Sequence, residues 1–454
     1  MKLILIRPRY QSHIITPPLG LGYLASYLER QGIEVVIIDA LKERIDNSGV
    51  LKRVLQEKPD AVGINCLTAY YEEAVDLSRL LKNNGLRCII GGVHPTFLPF
   101  STLSDSGADF VICGEGELAL SELLRNRFDH RGIKGVYTIQ DLKSDSDTIP
   151  RGDIVEDLDS LPFPDWAQIR PDTYPLAPHG AIIKNFPAAP VMATRGCPYN
   201  CTFCASPKFY GRRVRSRSVA NVIEELKLLV NTYHVKEIHF EDNNLTLNKE
   251  FITELCRQII ASGLKFDWAC PNGIRADKVD EPLIRLMAAS GCYYFAFGIE
   301  SANPKILKNI NKEENIETIK KAIDWADKAG MSCQGFFIFG LPGETAETIE
   351  ETIKFARDSR LSRAQFMILD VLPGSSLWDT LKGKFKPNWR KNSYKEPEWI
   401  PETLTADQLK KAQARAFRVF YFRPVIFLKL IKLIKWRQLA YLFKRLNEYR
   451  ILKG

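Results

Sequence analysis

Three cysteines set the chemical question. Cys197, Cys201 and Cys204 stand in a C-x3-C-x2-C spacing within the run Thr194-Arg195-Gly196-Cys197-Pro198-Tyr199-Asn200-Cys201-Thr202-Phe203-Cys204. Soft thiolates this close together ask for a soft metal or a metal–sulfur cluster. Zinc ordinarily takes four protein ligands, or three and a water, and no fourth Cys or His stands nearby at zinc-finger spacing. Three thiolates on one short loop suit a cubane iron–sulfur cluster with one iron left open for a small chelating ligand.

The elements that must carry this loop alternate between strand and helix. Val191–Thr194 reads as a strand leading into it, and further strands are expected at 237–240, 265–270, 293–299, 335–339 and 365–369, with helices between them. Polar residues follow these strands: Glu241 and Asp242, Arg275, Glu300, and a turn running from Gly340 to Gly343. Repeated β–α units with polar strand ends resemble a TIM-type barrel, whose chemistry sits at that face. Six units are present, which predicts a partial (β/α)6 barrel over 189–380.

The cysteine loop and its six units resemble the radical SAM superfamily. The resemblance implies a 4Fe–4S cluster on Cys197, Cys201 and Cys204, with S-adenosylmethionine (SAM) on the open iron. Phe203, the aromatic residue before the third cysteine, fits the same pattern. By that resemblance Glu241 and Asp242 meet the SAM amino group, Glu300 the ribose hydroxyls and Arg275 the carboxylate, while the backbone of Gly340–Gly343 passes the adenine. Reductive cleavage of SAM would then yield a 5′-deoxyadenosyl radical, formed with an electron from a donor such as flavodoxin or ferredoxin. No residue is assigned from the sequence as an acid, base or nucleophile.

Residues 1–140 show a second alternating pattern. Apolar runs at 2–6, 34–39, 61–65, 88–92 and 110–114 are separated by helical stretches, which indicates a doubly wound parallel sheet, flavodoxin-like or Rossmann-type, covered on both faces. Such sheets bind ligands outside the carboxyl ends of their strands. There the sequence places Pro18, Leu19 and Gly20; Thr68; Gly91, Gly92, Val93, His94 and Thr96; and Gly114, Glu115 and Gly116. No G-x-G-x-x-G follows the first strand, which argues against a dinucleotide. Directly upstream of the cysteine loop, this set resembles the cobalamin-binding domain fused to one large class of radical SAM enzymes, and the resemblance implies cobalamin as a cofactor. The D-x-H-x-x-G loop that supplies a lower cobalt ligand in cobalamin mutases is missing. His13 lies in the corresponding loop without the Asp or Gly and reads as an exposed loop residue; His94 reads as a contact to the corrin edge or nucleotide tail, or as packing within its loop.

Residues 141–188 are polar, then proline-rich, and read as a linker wrapping between two domains; Leu161-Pro162-Phe163-Pro164-Asp165-Trp166 resembles the linker of the same class. Residues 381–454 are expected to be helical and basic, with the Trp389 and Trp399 region capping the barrel mouth and touching substrate. From Thr405 onward the chain carries thirteen Lys or Arg and two Asp or Glu, a net +11 against +9 for all 454 residues, so the remainder is slightly acidic. Lys429, Lys432, Lys435 and Arg437 alternate with apolar residues. This pattern suits either an amphipathic helix on an anionic membrane surface or a terminal helix packed on the barrel. No nucleic-acid-reading motif accompanies the charge.

Cys66, Cys88, Cys113, Cys256, Cys270, Cys292 and Cys333 lie singly, mostly in apolar runs, and are expected as buried thiols in a reducing cytosol. The first residues read as a strand rather than a signal peptide, and no apolar run is long enough to span a membrane. The expected protein is cytoplasmic, with peripheral contact at the inner membrane face as one reading of the tail. The resemblance implies a radical SAM enzyme with cobalamin that methylates an unactivated carbon of a small-molecule or lipid substrate. A cyclase or oxidase using both cofactors, as in the anaerobic tetrapyrrole cyclase, and a cobalamin or iron–sulfur sensor are the alternatives.

Overall fold

The computed structural model describes residues 1–12, 14–146, 149–175, 183–390 and 394–426. His13 and the basic alternation from Lys429 to Arg437 lie outside the described residues, so the readings attached to them have no structural counterpart. The chain forms two compact units. The first holds Met1–Pro175 with Lys208–Gly211 and Asn388–Arg390, and the second holds Leu176–Pro207, Arg212–Pro387 and Lys391–Gly454.

In the first unit the short β-branched runs become strands β1 (Lys2–Arg7), β2 (Glu34–Asp39), β3 (Ala61–Asn65), β4 (Cys88–Gly91) and β5 (Phe110–Ile112). They pair in parallel in the order β2-β1-β3-β4-β5, and β6 (Val136–Tyr137) adds an antiparallel edge beside β5. This is the flavodoxin-like order, with its switch point between β1 and β3. Ile4, Ile6, Ile38, Val62, Ile64, Ile90 and Val111 fill one core cluster, as expected of strands covered on both faces.

The proline-rich segment belongs to this unit up to Pro175. Trp166, Ile169 and Tyr174 are buried. Gln168 accepts from the Ile37 amide at 2.8 Å and donates to the Val35 carbonyl at 3.0 Å. Its side-chain amide thus stands in for a neighbouring strand along edge strand β2, capping groups that would otherwise invite another chain. Gly22 is required by the same contact: a Cβ there would sit 2.7 Å from Ile169 and 2.9 Å from Pro164.

In the second unit six strands pair in parallel: β7 (Ala188–Val191), β10 (Glu237–Phe240), β11 (Asp267–Ile274), β12 (Cys292–Glu300), β13 (Ser332–Phe339) and β14 (Arg363–Ile368), in the order β14-β13-β12-β11-β10-β7. A separate ribbon pairs β8 (Thr194–Arg195) with β9 (Arg215–Ser216). The strand expected at 191–194 is therefore displaced. The barrel strand ends at Val191, and Thr194 belongs to the ribbon. Pro190 hid the true strand, because a proline weakens any strand reading; it is tolerated here because β7 is the sheet's edge. Trp389 and Trp399 fall in different units, and Trp389 is the one grouped away from the barrel. It belongs to the first unit, where its ring meets His94 edge-on at 4.9 Å, while Trp399 packs with the Ile306–Leu341 cluster of the second.

The turn after β4 offers a direct test. Gly92 has φ 127°, and a Cβ there would lie 2.4 Å from the Cys66 carbonyl oxygen. Gly92→Ala should cost at least about 2 kcal/mol through backbone strain and collision, and a urea midpoint equal to the parent's would contradict this.

Candidate functional site

The cysteine loop is held from several sides within the second unit. Both oxygens of Asp242 accept from the segment before it: Oδ1 from the Thr194 amide and hydroxyl, each at 2.6 Å, and Oδ2 from the Ala193 amide at 3.2 Å. Gly196 turns the chain at φ 113°, with room for no side chain, because a Cβ would meet the Arg213 carbonyl oxygen at 2.4 Å. Arg212 donates to the Pro198 carbonyl. The Thr202 amide donates to Ile310 at 3.0 Å, and the Thr202 carbonyl accepts from Leu377 at 2.8 Å. Phe203 packs against the apolar cluster that contains Ile306, Ile310 and Leu341. The three cysteines are thus left half-exposed on a fixed loop.

Among the described residues, no three His, Cys, Asp or Glu side chains converge on one point as a single ion requires. A cluster takes one thiolate per iron, so spaced thiols on a rigid loop suit it better than zinc. The charges around the loop fit as well. Burial raises the Cys197 thiol, and pushes Cys201 up to about 11, while Arg275 and Lys312 pull both down. Two cations beside three thiolates offset the negative charge that a cluster brings.

Arg275 lies with its guanidinium 3.6 Å over the Tyr199 ring. It also pairs with Asp277 at 2.8 Å and donates to the Glu313 carbonyl at 2.6 Å. Its Nη1 is buried and makes no hydrogen bond among the described residues, with the Glu314 carboxylate at 3.9 Å. Lys312, absent from the sequence-derived set, lies 3.0 Å from Glu314 and 3.7 Å from Glu300. Burial opposes its charge, but the two carboxylates more than offset it and its pKa rises. Its signal in the sequence was only a polar Asn311-Lys312-Glu313-Glu314 turn between helices, which reads as a solvated loop.

Glu300 ends β12 at φ 63°, a strained conformation for a residue with a side chain. Burial pushes its carboxyl up to about 7 against the pull of Lys312. Glu241 follows β10, donates its amide to Val191 at 2.8 Å, and accepts from the Asn272 side chain at its carbonyl. Gly340 and Gly343 both hold positive φ in the turn after β13. Glu344 braces that turn, accepting from the Gly340 and Leu341 amides at 2.5 and 3.1 Å through one oxygen. Its other oxygen is buried without a partner, and burial pushes the carboxyl up to about 8. Glu344 was also missed, because its role depends on the turn folding back.

The first unit gathers its set at the carboxyl ends of its strands. Pro18 precedes, and Leu19 and Gly20 open, the helix Leu19–Glu29, with open space around Gly20. Gly91 ends β4 and Gly92 turns sharply after it, and Val93 begins the short helix Val93–Phe97. Thr96 donates to the Gly92 carbonyl at 2.7 Å and accepts from the Gly114 amide at 2.9 Å, tying two strand ends together. Glu115 receives the Val155 amide, and Gly116 begins the next helix beneath Leu24. His94 lies fully inside. It stacks on Tyr71 at 4.1 Å and meets Thr68 Oγ1 at 3.1 Å through Nδ1, while Nε2 is buried without a partner. Burial pushes its pKa down to about 3. His94 thus packs within its loop on Tyr71 and Thr68, with Nε2 as its unmatched atom. Sequence reasoning also missed the buried Arg7–Asp39 pair at the ends of β1 and β2, on which the Tyr174 hydroxyl donates at 2.8 Å. Open space beside Gly20 at these strand ends fits a bulky ligand such as cobalamin, whereas Gly92 and Gly114 make room for the protein's own neighbouring chain.

Comparisons with known proteins agree with both halves. The Radical SAM superfamily matches residues 191–356, and the B12 binding domain matches residues 11–124. An uncharacterised methyltransferase of Pyrococcus horikoshii is 34% identical, covering 94% of each chain. The cytidylyl-2-hydroxyethylphosphonate methyltransferase of Streptomyces wedmorensis is 30% identical over 83% of this chain and 80% of its own. An anaerobic magnesium-protoporphyrin IX monomethyl ester cyclase of Rubrivivax gelatinosus is 29% identical over 93% and 77%. Among solved structures, the radical SAM methyltransferase TsrM of Kitasatospora setae shares the fold, with a TM-score of 0.73, 18% identity, and 93% and 90% coverage.

Two outcomes follow from this geometry. Arg275→Ala removes both the stacking on Tyr199 and a positive charge, so the reconstituted protein should hold fewer irons per chain, by metal analysis, while its circular dichroism is unchanged. Glu344 has a folded pKa raised to about 8 from 4.5, so the folded state keeps a proton that the unfolded chain loses. Stability from this group is full below about pH 4.5 and is lost as pH rises towards 8. Glu344→Gln places an amide where the unpartnered oxygen lies, and its melting temperature should fall less between pH 5 and 8 than the parent's.

Proposed function

This chain belongs to the cobalamin-binding radical SAM enzymes, and from that premise we propose that it is a C-methyltransferase acting on an unactivated carbon. The observation that carries the reading is similarity along nearly the whole chain to proteins named as methyltransferases. When bound, the cluster with SAM supplies hydrogen abstraction by a 5′-deoxyadenosyl radical, and cobalamin supplies methyl transfer.

The chain's own residues hold, orient and shield these groups. Cys197, Cys201 and Cys204 would hold the cluster on a loop that Asp242, Gly196 and Phe203 fix in place. Asp242 thereby acts as a positioning residue, since its oxygens serve the Ala193–Thr194 backbone. Glu241 would receive the SAM ammonium. Arg275 has one buried nitrogen, Nη1, without a hydrogen bond, and that nitrogen suits the SAM carboxylate. Glu300 receives the ribose hydroxyls, with Lys312 keeping a positive charge beside it. The turn from Gly340 to Gly343 lies along the adenine, braced by Glu344. In the first unit the strand ends that Gly92 and Gly114 bend, with the open backbone at Gly20, would face cobalamin. His94 stays in the core between Tyr71 and Trp389, so it would not serve as a ligand to cobalt. An external one-electron reductant and a small-molecule substrate complete the reaction.

A cyclase is the second reading, favoured by the Rubrivivax relative. Product mass separates the two: transfer from methyl-deuterated SAM adds one labelled methyl group in place of hydrogen, and cyclisation adds none.

Three outcomes test this reading. Anaerobically reconstituted protein under reduction should form 5′-deoxyadenosine from SAM. Cys201→Ala should abolish that cleavage, while Cys256→Ala, a buried thiol in a helix, should keep it; cleavage by Cys201→Ala would remove the cluster assignment. The electron paramagnetic resonance spectrum of bound Co(II) should show no axial nitrogen coupling that His94→Ala abolishes.

A further inference from the structure

Among the described residues, Arg363 carries a charge with no counter-ion. It opens β14 and is 5% exposed. Its Nε and Nη2 are buried and make no hydrogen bond, and its recorded partner is the face of Tyr294, 4.6 Å from the ring centroid. Glu237 is already occupied, accepting from His239 and from the Tyr293 hydroxyl at 2.6 Å each, and from the Asn185 amide at 2.6 Å. A guanidinium out of water, with two of its three nitrogens unmatched, is costly unless something anionic arrives.

The strand pattern shows which way it faces. Phe337 and Phe366 pack on the helices, against Phe355 and Phe417. Gln334 and Arg363 lie three residues before them and pair across the sheet, so they belong to the opposite, inner face. Tyr294 joins them there, donating its hydroxyl to Gln334 Oε1 at 3.0 Å. Gln334 and Gln365 are half-buried, so this polar set borders accessible space. Fixed arginine, tyrosine and glutamine side chains on an inner barrel face are suited to receive a planar or tetrahedral anion.

We propose that Arg363, with Tyr294 and Gln334, forms a binding site for an anionic terminus, a carboxylate or a phosph(on)ate, carried by the substrate. Arg363 begins β14, and the five residue steps to Ile368 place it roughly 17 Å from the carboxyl edge of the strand. The substrate is accordingly an elongated molecule whose anionic end lies deep in the barrel while its reacting carbon lies near the cysteine loop. This rests on the enzyme reading only in calling the anion part of a substrate; anion binding at Arg363 stands or falls separately.

The test uses the full-length reconstituted protein with inorganic phosphate and acetate as probes, against chloride at matched ionic strength. Calorimetric titration should show one site for one of the two probes, and which one binds distinguishes phosph(on)ate from carboxylate. Arg363→Met should weaken that binding by about tenfold or more, and Arg363→Lys should recover part of it. Because the parent charge is unpaired, Arg363→Met should also melt no lower than the parent without probe, and should lose the upward melting shift that the bound probe gives the parent. Neither probe binding the parent, equal binding by parent and Arg363→Met, or a lower melting temperature for Arg363→Met without probe would each overturn the proposal. Failure here leaves SAM cleavage and the labelled-methyl test untouched, and failure there leaves anion binding untouched.

Discussion

The hold of Asp242 on residues 193 and 194 is the constraint on which the rest depends. A carboxylate at the end of β10 receives two backbone amides and a hydroxyl just before the cysteine loop. The barrel thereby dictates where the loop starts, and Gly196, Thr202 and Phe203 dictate its path. Without that anchor three cysteines at the right spacing would be a mobile chelator. With it they become a fixed platform at the strand ends, where a parallel sheet presents its chemistry. Burial pushes the Asp242 carboxyl up to about 6, so the anchor is made with a group that burial disfavours as an anion and that its donors hold.

Charge follows the same economy. Arg275 and Lys312 are buried cations that share the carboxylates of Asp277, Glu314 and Glu300. The cluster brings negative charge and SAM brings both signs, so a region pre-stocked with paired charges needs little rearrangement to receive them. Tyr199, inside the cysteine loop, lies beneath Arg275, so loop geometry and local charge depend on one another.

The first unit solves a different problem, which is to expose backbone to a large ligand without losing its core. Strand ends are tied to each other by Thr96 and bent by Gly92 and Gly114. The linker segment closes the β2 edge through Gln168 and reaches Asp39 through Tyr174. A stretch that looks like a tether is thus part of the unit's own packing.

Much of this was legible in the sequence, for physical reasons. The cysteine spacing announces its ligand chemistry because thiolates on one loop have few other uses, and apolar strands of four to six residues alternating with helices specify parallel sheets. Glycines at strand ends mark the turns where no Cβ fits. What only the tertiary structure decided is which polar side chain meets which. Asp242 and Glu241 are neighbours in sequence, yet Asp242 holds the backbone before the cysteine loop while Glu241 takes the Asn272 side chain at its carbonyl. Lys312 and Glu344 acquire their roles from turns that fold back on the strand ends. His94 is drawn into the core by Tyr71 and Trp389, the latter from nearly three hundred residues further along the chain. Arg363 looks like any strand-initiating arginine until the sheet is built and its charge is found inside, without a counter-ion among the described residues. Local pattern determines the elements; contacts between residues distant in sequence determine the site.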